Sequence, residues 1–151
     1  MIMTFCFETF NIIEIKSTFV NMNQSLGKEY KLCSQKIIKQ IFEEKRSVKQ
    51  FPFVLNYCFS ELPSEKSFQI VIAAPKRIFR KAHDRNRIKR LCKETIRKNK
   101  YILEEYLTEN KQQLALFFVY TNKEEMDYEV LFKKTETLFK KLITEFSKLD
   151  A

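Results

Sequence analysis

The sequence contains a single glycine and three prolines in 151 residues. A chain with one glycine cannot form the glycine-rich loops that cradle nucleotide phosphates, which excludes both the G-x-G-x-x-G fingerprint and the P-loop. Collagen-like and loop-dominated folds are excluded for the same reason. Hydrophobic residues make up 44% of the chain and aromatic residues 14%, which is enough apolar surface for a packed core. At this length, one globular domain is expected.

The net charge of +9 is concentrated in one part of the chain. Residues 76–100 contain twelve Lys and Arg residues against two acidic ones, so this window carries +10 and the other 126 residues carry about −1. A concentrated positive field predicts a polyanionic partner, with nucleic acid preferred to an anionic membrane. No uncharged run exceeds 11 residues, so no membrane-spanning helix is expected.

Metal-binding and catalytic patterns are missing from the sequence. The cysteines are Cys6, Cys33, Cys58 and Cys92, so no C-x-x-C pair exists, and His83 is the only histidine. We interpret the four cysteines as free thiols in a reducing cytosol. Paired glutamates are sequence neighbours, and neighbouring side chains on a helix diverge by about 100°, so they cannot hold one metal ion together. No catalytic residue and no metal ligand is predicted.

Hydrophobic periodicity predicts the element order helix, strand, strand, helix, strand, helix. The two neighbouring strands are expected to form a hairpin, and a short additional strand near Ser47 would bring the sheet to four strands. This order predicts an α+β fold, a two-layer sandwich of about three helices on a mixed four-stranded sheet. The expected elements are a helix at 31–46, strands at 51–60 and 67–74, a long helix with Asp84 as its N-cap, a buried central strand at 112–120, and a helix at 127–148.

The strongest chemical signal is the segment RNRIKR at 85–90, at the expected start of the long helix. Its four cations lie beside the free backbone N–H groups of a helix end, which favour an anion. Arginine binds phosphate through two parallel hydrogen bonds. A solvated cationic helix face is the alternative, but such faces usually mix both signs and this one does not. RNA is favoured over DNA, because a helix packed on a sheet is not free to enter a major groove.

The segment APKRIFRKAHDRNRIKRLCKETIRKNK at 74–100 resembles the signature of the protein component of bacterial ribonuclease P. The upstream segment KLCSQKIIKQIFEEKRSVKQFPFVLNY at 31–57 resembles the first helix and strand of that family. The order of elements also agrees, and the resemblance covers about residues 24–148. It implies the fold of that family, which is similar to a domain of a small-subunit ribosomal protein.

The resemblance also implies a function. The family supplies the protein subunit of an endoribonuclease whose RNA subunit carries the catalysis and removes the 5′ leader of precursor tRNA. The implied partners are ribonuclease P RNA and precursor tRNA, without membrane or DNA, in the cytoplasm. Mg²⁺ is the implied cofactor, bound mainly by the RNA subunit and the substrate. The alternatives are a structural RNA-binding protein of ribosomal type and an autonomous nuclease, which would need a protein acid, base or metal site.

The candidate site residues form two groups. For the leader cleft, which the family places between the first helix and the sheet, the candidates are Phe42, Phe53 and Tyr57. Phe42 matches an aromatic residue of the family, and burial in the core is the alternative for the two strand residues. The candidates for RNA binding are Arg77, Lys81, Arg85, Asn86, Arg87, Lys89, Arg90 and Lys93.

The sequence departs from the family pattern at several positions. Arg80 replaces a common glycine, Ile78 replaces a basic residue and His83 replaces a valine. The phosphate contacts of this connector are therefore less firmly implied than those of the helix. In the first helix, Ile38 stands where a second aromatic residue is common.

The two ends of the sequence differ in character. Residues 1–21 are apolar and aromatic, but they lack the positively charged start of a signal peptide and are interrupted by Glu8 and Glu14. We expect this segment to be a disordered or non-native extension, with an additional strand as the alternative. Residues 22–151 are expected to form a single RNA-binding domain.

Overall fold

The computed structural model describes residues 26–150. The expectations for residues 1–21, and Cys6 with them, therefore lie outside the described residues. Within the described part, the elements follow the predicted order after a short 3₁₀ turn at Lys28–Tyr30. They are α1 (Gln35–Glu44), β1 (Ser47–Gln50), β2 (Phe53–Phe59), β3 (Phe68–Ala73), α2 (Ala82–Glu109), β4 (Leu114–Tyr120) and α3 (Tyr128–Asp150).

The four strands form one mixed sheet in the order β1-β2-β4-β3. β1 and β4 both pair antiparallel with β2, whereas β3 and β4 are parallel. The predicted hairpin between β2 and β3 is therefore wrong, because Leu114 of β4 lies between Phe59 and Phe68. β4 is apolar on both faces, so the central position buries more of it than an edge would. The predicted central strand and the short strand at Ser47 are both confirmed.

One face of the sheet carries the main core, against α2 and α3. Alternate strand residues such as Leu55, Leu116 and Phe118 point to this face and are fully buried. α2 contributes the helical stripe Ile88, Cys92, Ile96, Leu103 and Leu107, and α3 contributes Leu131, Leu138, Phe139, Leu142 and Phe146. These stripes leave the opposite side of α2 to solvent.

α1 packs on the other face of the sheet. The Ser34 hydroxyl accepts a hydrogen bond from the Ile37 N–H at the start of the helix, and Ile41 packs toward Cys58 and Ala115. Farther along the same face, no helix among residues 26–150 covers the sheet fully, and six strand side chains remain half-buried. The six half-buried residues are Val54, Asn56, Val71, Ala73, Phe117 and Val119. Since β3 and β4 are parallel, this open floor lies toward their shared carboxyl end, where the basic connector begins.

The long basic helix begins earlier than predicted. α2 starts at Ala82 with Lys81 as its N-cap, so the prediction of Asp84 as N-cap is wrong. Lys81 has an extended backbone and makes no side-chain cap. Asp84 instead lies in the first turn, where a carboxylate interacts favourably with the helix dipole.

A buried polar network attaches the 3₁₀ turn to α2. The Lys100 ammonium donates to the Tyr30 hydroxyl at 3.1 Å, and that hydroxyl donates to the Glu104 carboxylate. Burial lowers the pKa of Lys100, whereas burial and the Glu104 carboxylate raise the pKa of Tyr30. The network fixes residues 28–30 beside β3 and α2.

The described cysteines should differ sharply in reactivity. Cys33 is exposed, whereas burial raises the pKa of Cys58 to about 11 and that of Cys92 to about 12. In a Cys6→Ser variant at neutral pH, we expect a maleimide to modify Cys33 first, because the thiolate is the reactive form. Timed alkylation followed by mass spectrometry of the peptides measures this. Equally fast labelling of Cys92 in the native protein would contradict it.

Candidate nucleic-acid interface

The first turns of α2 present a cationic surface to solvent. Ile88 and Cys92 point into the core, and the helical period therefore turns the polar residues around them outward. The exposed residues are Asn86, Arg87, Lys89, Arg90 and Lys93, all of them predicted RNA-binding residues. We call them, together with Arg77 and Lys81, the α2 surface.

The connector at residues 76–81 extends this surface past the end of β3. Its turn is closed by the N–H groups of Ile78 and Phe79, which donate to the Pro75 carbonyl at 3.0 and 2.9 Å. Phe79 is buried against Tyr120 of β4, whereas Arg77 and Lys81 are exposed. The buried ring anchors the connector, so its cations are held close to the start of α2.

Arg85 differs from the other predicted residues because it is half-buried. Its Nη1 atom donates to the carbonyl oxygens of Phe79 and Arg80, both at 2.9 Å. Arg85 therefore braces the connector against α2. We still predict that it binds RNA, with the remainder of its guanidinium group.

Arg87 forms an ion pair with a carboxylate. Its Nε atom lies 3.0 Å from Oε2 of Glu125, on the segment between β4 and α3. The Arg87 side chain remains 64% exposed, so most of its guanidinium group is accessible to a ligand. Across residues 26–149, no other predicted RNA-binding residue forms an ion pair.

A cleft opens between α1 and the uncovered sheet floor. Phe42 is 49% exposed at the carboxyl end of α1, and its ring packs edge-on against Phe117 of β4 with 4.9 Å between the ring centres. Asn56 and Val71 flank Phe117 on the neighbouring strands. An aromatic edge, an aliphatic floor and an amide could hold an unpaired base, and the cleft leads toward the connector.

The other two predicted cleft residues lie elsewhere. Phe53 and Tyr57 are 1% and 4% exposed and face the main core, on the opposite side of the sheet from Phe42. The prediction that they line the same cleft as Phe42 is therefore wrong. Side chains alternate along β2, so the even-numbered Val54 and Asn56 face the cleft instead. Phe51 has an exposed ring in the turn between β1 and β2.

Comparison with known proteins decides the family. The family model for Ribonuclease P matches residues 26–143. A relative from Porphyromonas gingivalis, the Ribonuclease P protein component, is 32% identical over 107 residues, which are 70% of this chain and 77% of the relative. The chain belongs to the ribonuclease P protein family. Its members are the protein component of an endoribonuclease of tRNA 5′ maturation whose RNA subunit is catalytic, so ribonuclease P RNA is the partner of this chain.

Solved structures of ribonuclease P proteins share the fold. The protein from Thermotoga maritima superposes with a TM-score of 0.59 at 21% identity, covering 74% of this chain and 96% of that protein. The protein from Staphylococcus aureus gives a TM-score of 0.53 at 18% identity, covering 74% and 93%. The predicted α+β class is confirmed by these similarities.

The cleft beside Phe42 contains residues that the sequence does not indicate. Phe117, Asn56 and Val71 were not singled out, because β4 reads as uniformly apolar and the register between strands is not visible in the sequence. The only local signal is the alternation of side chains along a strand, which puts Phe117 on the other face of the sheet from Leu116 and Phe118. The two faces of β4 could have been separated by this signal, but it does not show which face a helix leaves open.

The metal-ligating side chains in the described part of the chain are scattered. Within residues 26–149, no three His, Cys, Asp or Glu side chains lie close enough together to hold a metal ion. His83 and Asp84 lie 3.9 Å apart on the exposed start of α2, without a third ligand. The side chains of residues 26–149 therefore do not form a ligand set for Mg²⁺ by themselves.

No helix in the described part of the chain is both long and apolar enough to cross a membrane.

Proposed function

We propose that the α2 surface binds ribonuclease P RNA and that the cleft beside Phe42 binds the 5′ leader of precursor tRNA. The RNA-binding residues are Arg77, Lys81, Arg85, Asn86, Arg87, Lys89, Arg90 and Lys93. Guanidinium and ammonium groups neutralise phosphates, and Asn86 can both donate and accept a hydrogen bond. Each neutralised phosphate releases counterions, so the affinity should fall steeply with salt.

The observation that supports this proposal is the continuity of the two surfaces. The open sheet floor ends at the carboxyl ends of β3 and β4, and the basic connector starts directly after β3. A strand of RNA that leaves the cleft at this end meets Arg77 and Lys81 within one short segment. One protein could thus contact an extended leader and a folded RNA at the same time.

In this arrangement, the protein assists a reaction that the RNA subunit catalyses. Two RNAs that approach each other repel through their phosphates, and the α2 surface lowers that repulsion by its positive charge. Mg²⁺ supplies the chemistry of phosphodiester hydrolysis when bound by the RNA subunit and the substrate. The protein would carry out this role in the cytoplasm, where precursor tRNA is processed.

A cleavage assay at low Mg²⁺ tests the proposed function. Precursor tRNA is incubated with the protein alone, with cognate ribonuclease P RNA alone, and with both. We expect rapid release of the leader only in the mixture, because the RNA subunit of this family carries the catalysis and residues 26–149 contain no cluster of side chains that could hold a metal ion. Gel analysis of the 5′-labelled leader measures the rate.

Two outcomes would contradict the proposal. Leader release by the protein alone would indicate an autonomous nuclease. RNA binding without faster leader release would indicate a structural RNA-binding protein of ribosomal type. Mature tRNA, which lacks the leader but retains the tRNA body, is the matched control for the binding measurement.

A further inference from the structure

Glu125 places a carboxylate inside the cationic surface. Its Oε2 atom accepts from Arg87 Nε at 3.0 Å, while the two side chains remain 37% and 64% exposed. An open pocket of about 470 Å³ adjoins this pair, between the connector, the start of α2 and the segment after β4. Its lining includes Lys81, Asp84, Lys123 and Glu125.

The segment that carries Glu125 is anchored to the sheet before the pair and to the start of α3 after it. The Tyr120 hydroxyl donates to the Glu124 carbonyl, and the Thr121 N–H donates to the Pro52 carbonyl at 2.8 Å. At the other end, Asp127 accepts from the Leu131 N–H at 3.0 Å, which starts α3. The carboxylate is therefore presented to Arg87 from a short, anchored segment.

We propose that Glu125 competes with RNA for Arg87. Its carboxylate occupies the position on the guanidinium group that a phosphate oxygen takes in the complex, and it leaves when the RNA binds. Carboxylate and phosphate oxygens satisfy the same Arg N–H donors, so one anion replaces the other. This proposal rests on the proposed role of Arg87 in binding a phosphate of ribonuclease P RNA.

The competition makes Glu125 a residue that tunes affinity. An exposed ion pair is weak, so a phosphate within a folded RNA displaces the carboxylate readily. A stray polyanion that reaches Arg87 alone must pay the same cost without the remaining contacts of the α2 surface. Glu125 thus lowers the affinity of both ligands by the same factor, so that an RNA with several further contacts stays bound while a polyanion that engages Arg87 alone is largely released.

The test compares two neutral variants of neighbouring residues. Glu125→Gln removes the competing charge, whereas Glu124→Gln removes the same charge from a side chain that forms no ion pair with residues 26–149. We expect Glu125→Gln to bind cognate ribonuclease P RNA about two- to fivefold more tightly at low salt, the range of an exposed ion pair. Glu124→Gln should change the affinity by less than about 1.5-fold, because the shared long-range charge effect is small.

A second pair of variants assigns the effect to Arg87. In the Arg87→Gln background, adding Glu125→Gln should raise the affinity for RNA no more than the Glu124→Gln control does, because the partner of Glu125 is missing. The Nε–H resonance of Arg87 provides an independent signal. In the free wild-type protein it should exchange slowly with water, and Glu125→Gln or addition of RNA should shift it.

The outcomes separate this proposal from the proposed function. Equal gains for Glu125→Gln and Glu124→Gln, or a gain that persists without Arg87, would overturn the competition. Weaker RNA binding together with a lower Tm in Glu125→Gln would overturn it as well, because Glu125 would then act only in support of the fold. If the wild-type protein fails to bind the RNA at all, the proposed function fails first.

Discussion

Replacing Lys89, Arg90 and Lys93 together with glutamine is expected to weaken binding of ribonuclease P RNA about 100-fold. Each exposed cation contributes about 1 kcal/mol through a charge-assisted contact, and three such losses correspond to about two orders of magnitude. The slope of log K against log salt should become shallower by about 0.9 for each lost phosphate contact. Fluorescence anisotropy of labelled RNA across a KCl series measures both quantities.

The control removes the same charge from another helix. Lys133, Lys141 and Lys148 are exposed on α3, outside the α2 surface. Their replacement by glutamine lowers the net charge equally but should change the affinity less than fivefold, through long-range attraction alone. If the two triple variants lose affinity to the same extent, binding depends on total charge and the α2 surface is not the interface.

The location of the α2 surface could be predicted from the sequence because a helix fixes it locally. Ile88 and Cys92 lie four residues apart and both are buried, so the cations between them must face outward. The predicted N-cap, Asp84, lies three residues after the observed one, Lys81, since any of several polar residues can precede a helix and the backbone decides which one does. This error did not move a cation to a different face.

The cleft was harder to predict because it depends on contacts between distant strands. The sequence correctly indicated that β4 is central, but proximity along the chain favoured a hairpin of β2 with β3. Aromatic residues occur on both β2 and β4, and their size alone does not tell which face of each strand meets the core. Phe53 and Tyr57 proved to be core residues, while Phe117 reached the cleft through pairing that brings residues 42, 56, 71 and 117 together.

The role of Glu125 was likewise out of reach of sequence patterns. Glu125 follows β4 by five residues and follows Arg87 by 38, far beyond the spacing of three or four residues that indicates an ion pair on a helix. Only the return of β4 beside β3 brings its segment to the start of α2. Glu125 lies outside the basic window at 76–100, so the net charge of that window gives no sign of a carboxylate beside Arg87.

Removal of the Phe42 ring is expected to affect the leader selectively. In the holoenzyme formed with cognate RNA, Phe42→Ala should weaken binding of precursor tRNA about 10-fold or more, because stacking of one unpaired base contributes roughly 1–3 kcal/mol. Binding of mature tRNA, which has no leader, should change less than twofold. Equilibrium binding of the two labelled RNAs to the same holoenzyme measures the difference.

A second exposed phenylalanine provides the matched control. Phe51 is 62% exposed in the turn between β1 and β2, and Phe51→Ala removes the same ring while the contact of Phe42 with Phe117 is kept. Phe42→Tyr should retain most of the affinity, since the stacking face is kept. Because Phe42 also packs on Phe117, thermal unfolding of Phe42→Ala must show a retained fold. An equal loss for precursor and mature tRNA in a folded Phe42→Ala protein would place the leader outside this cleft.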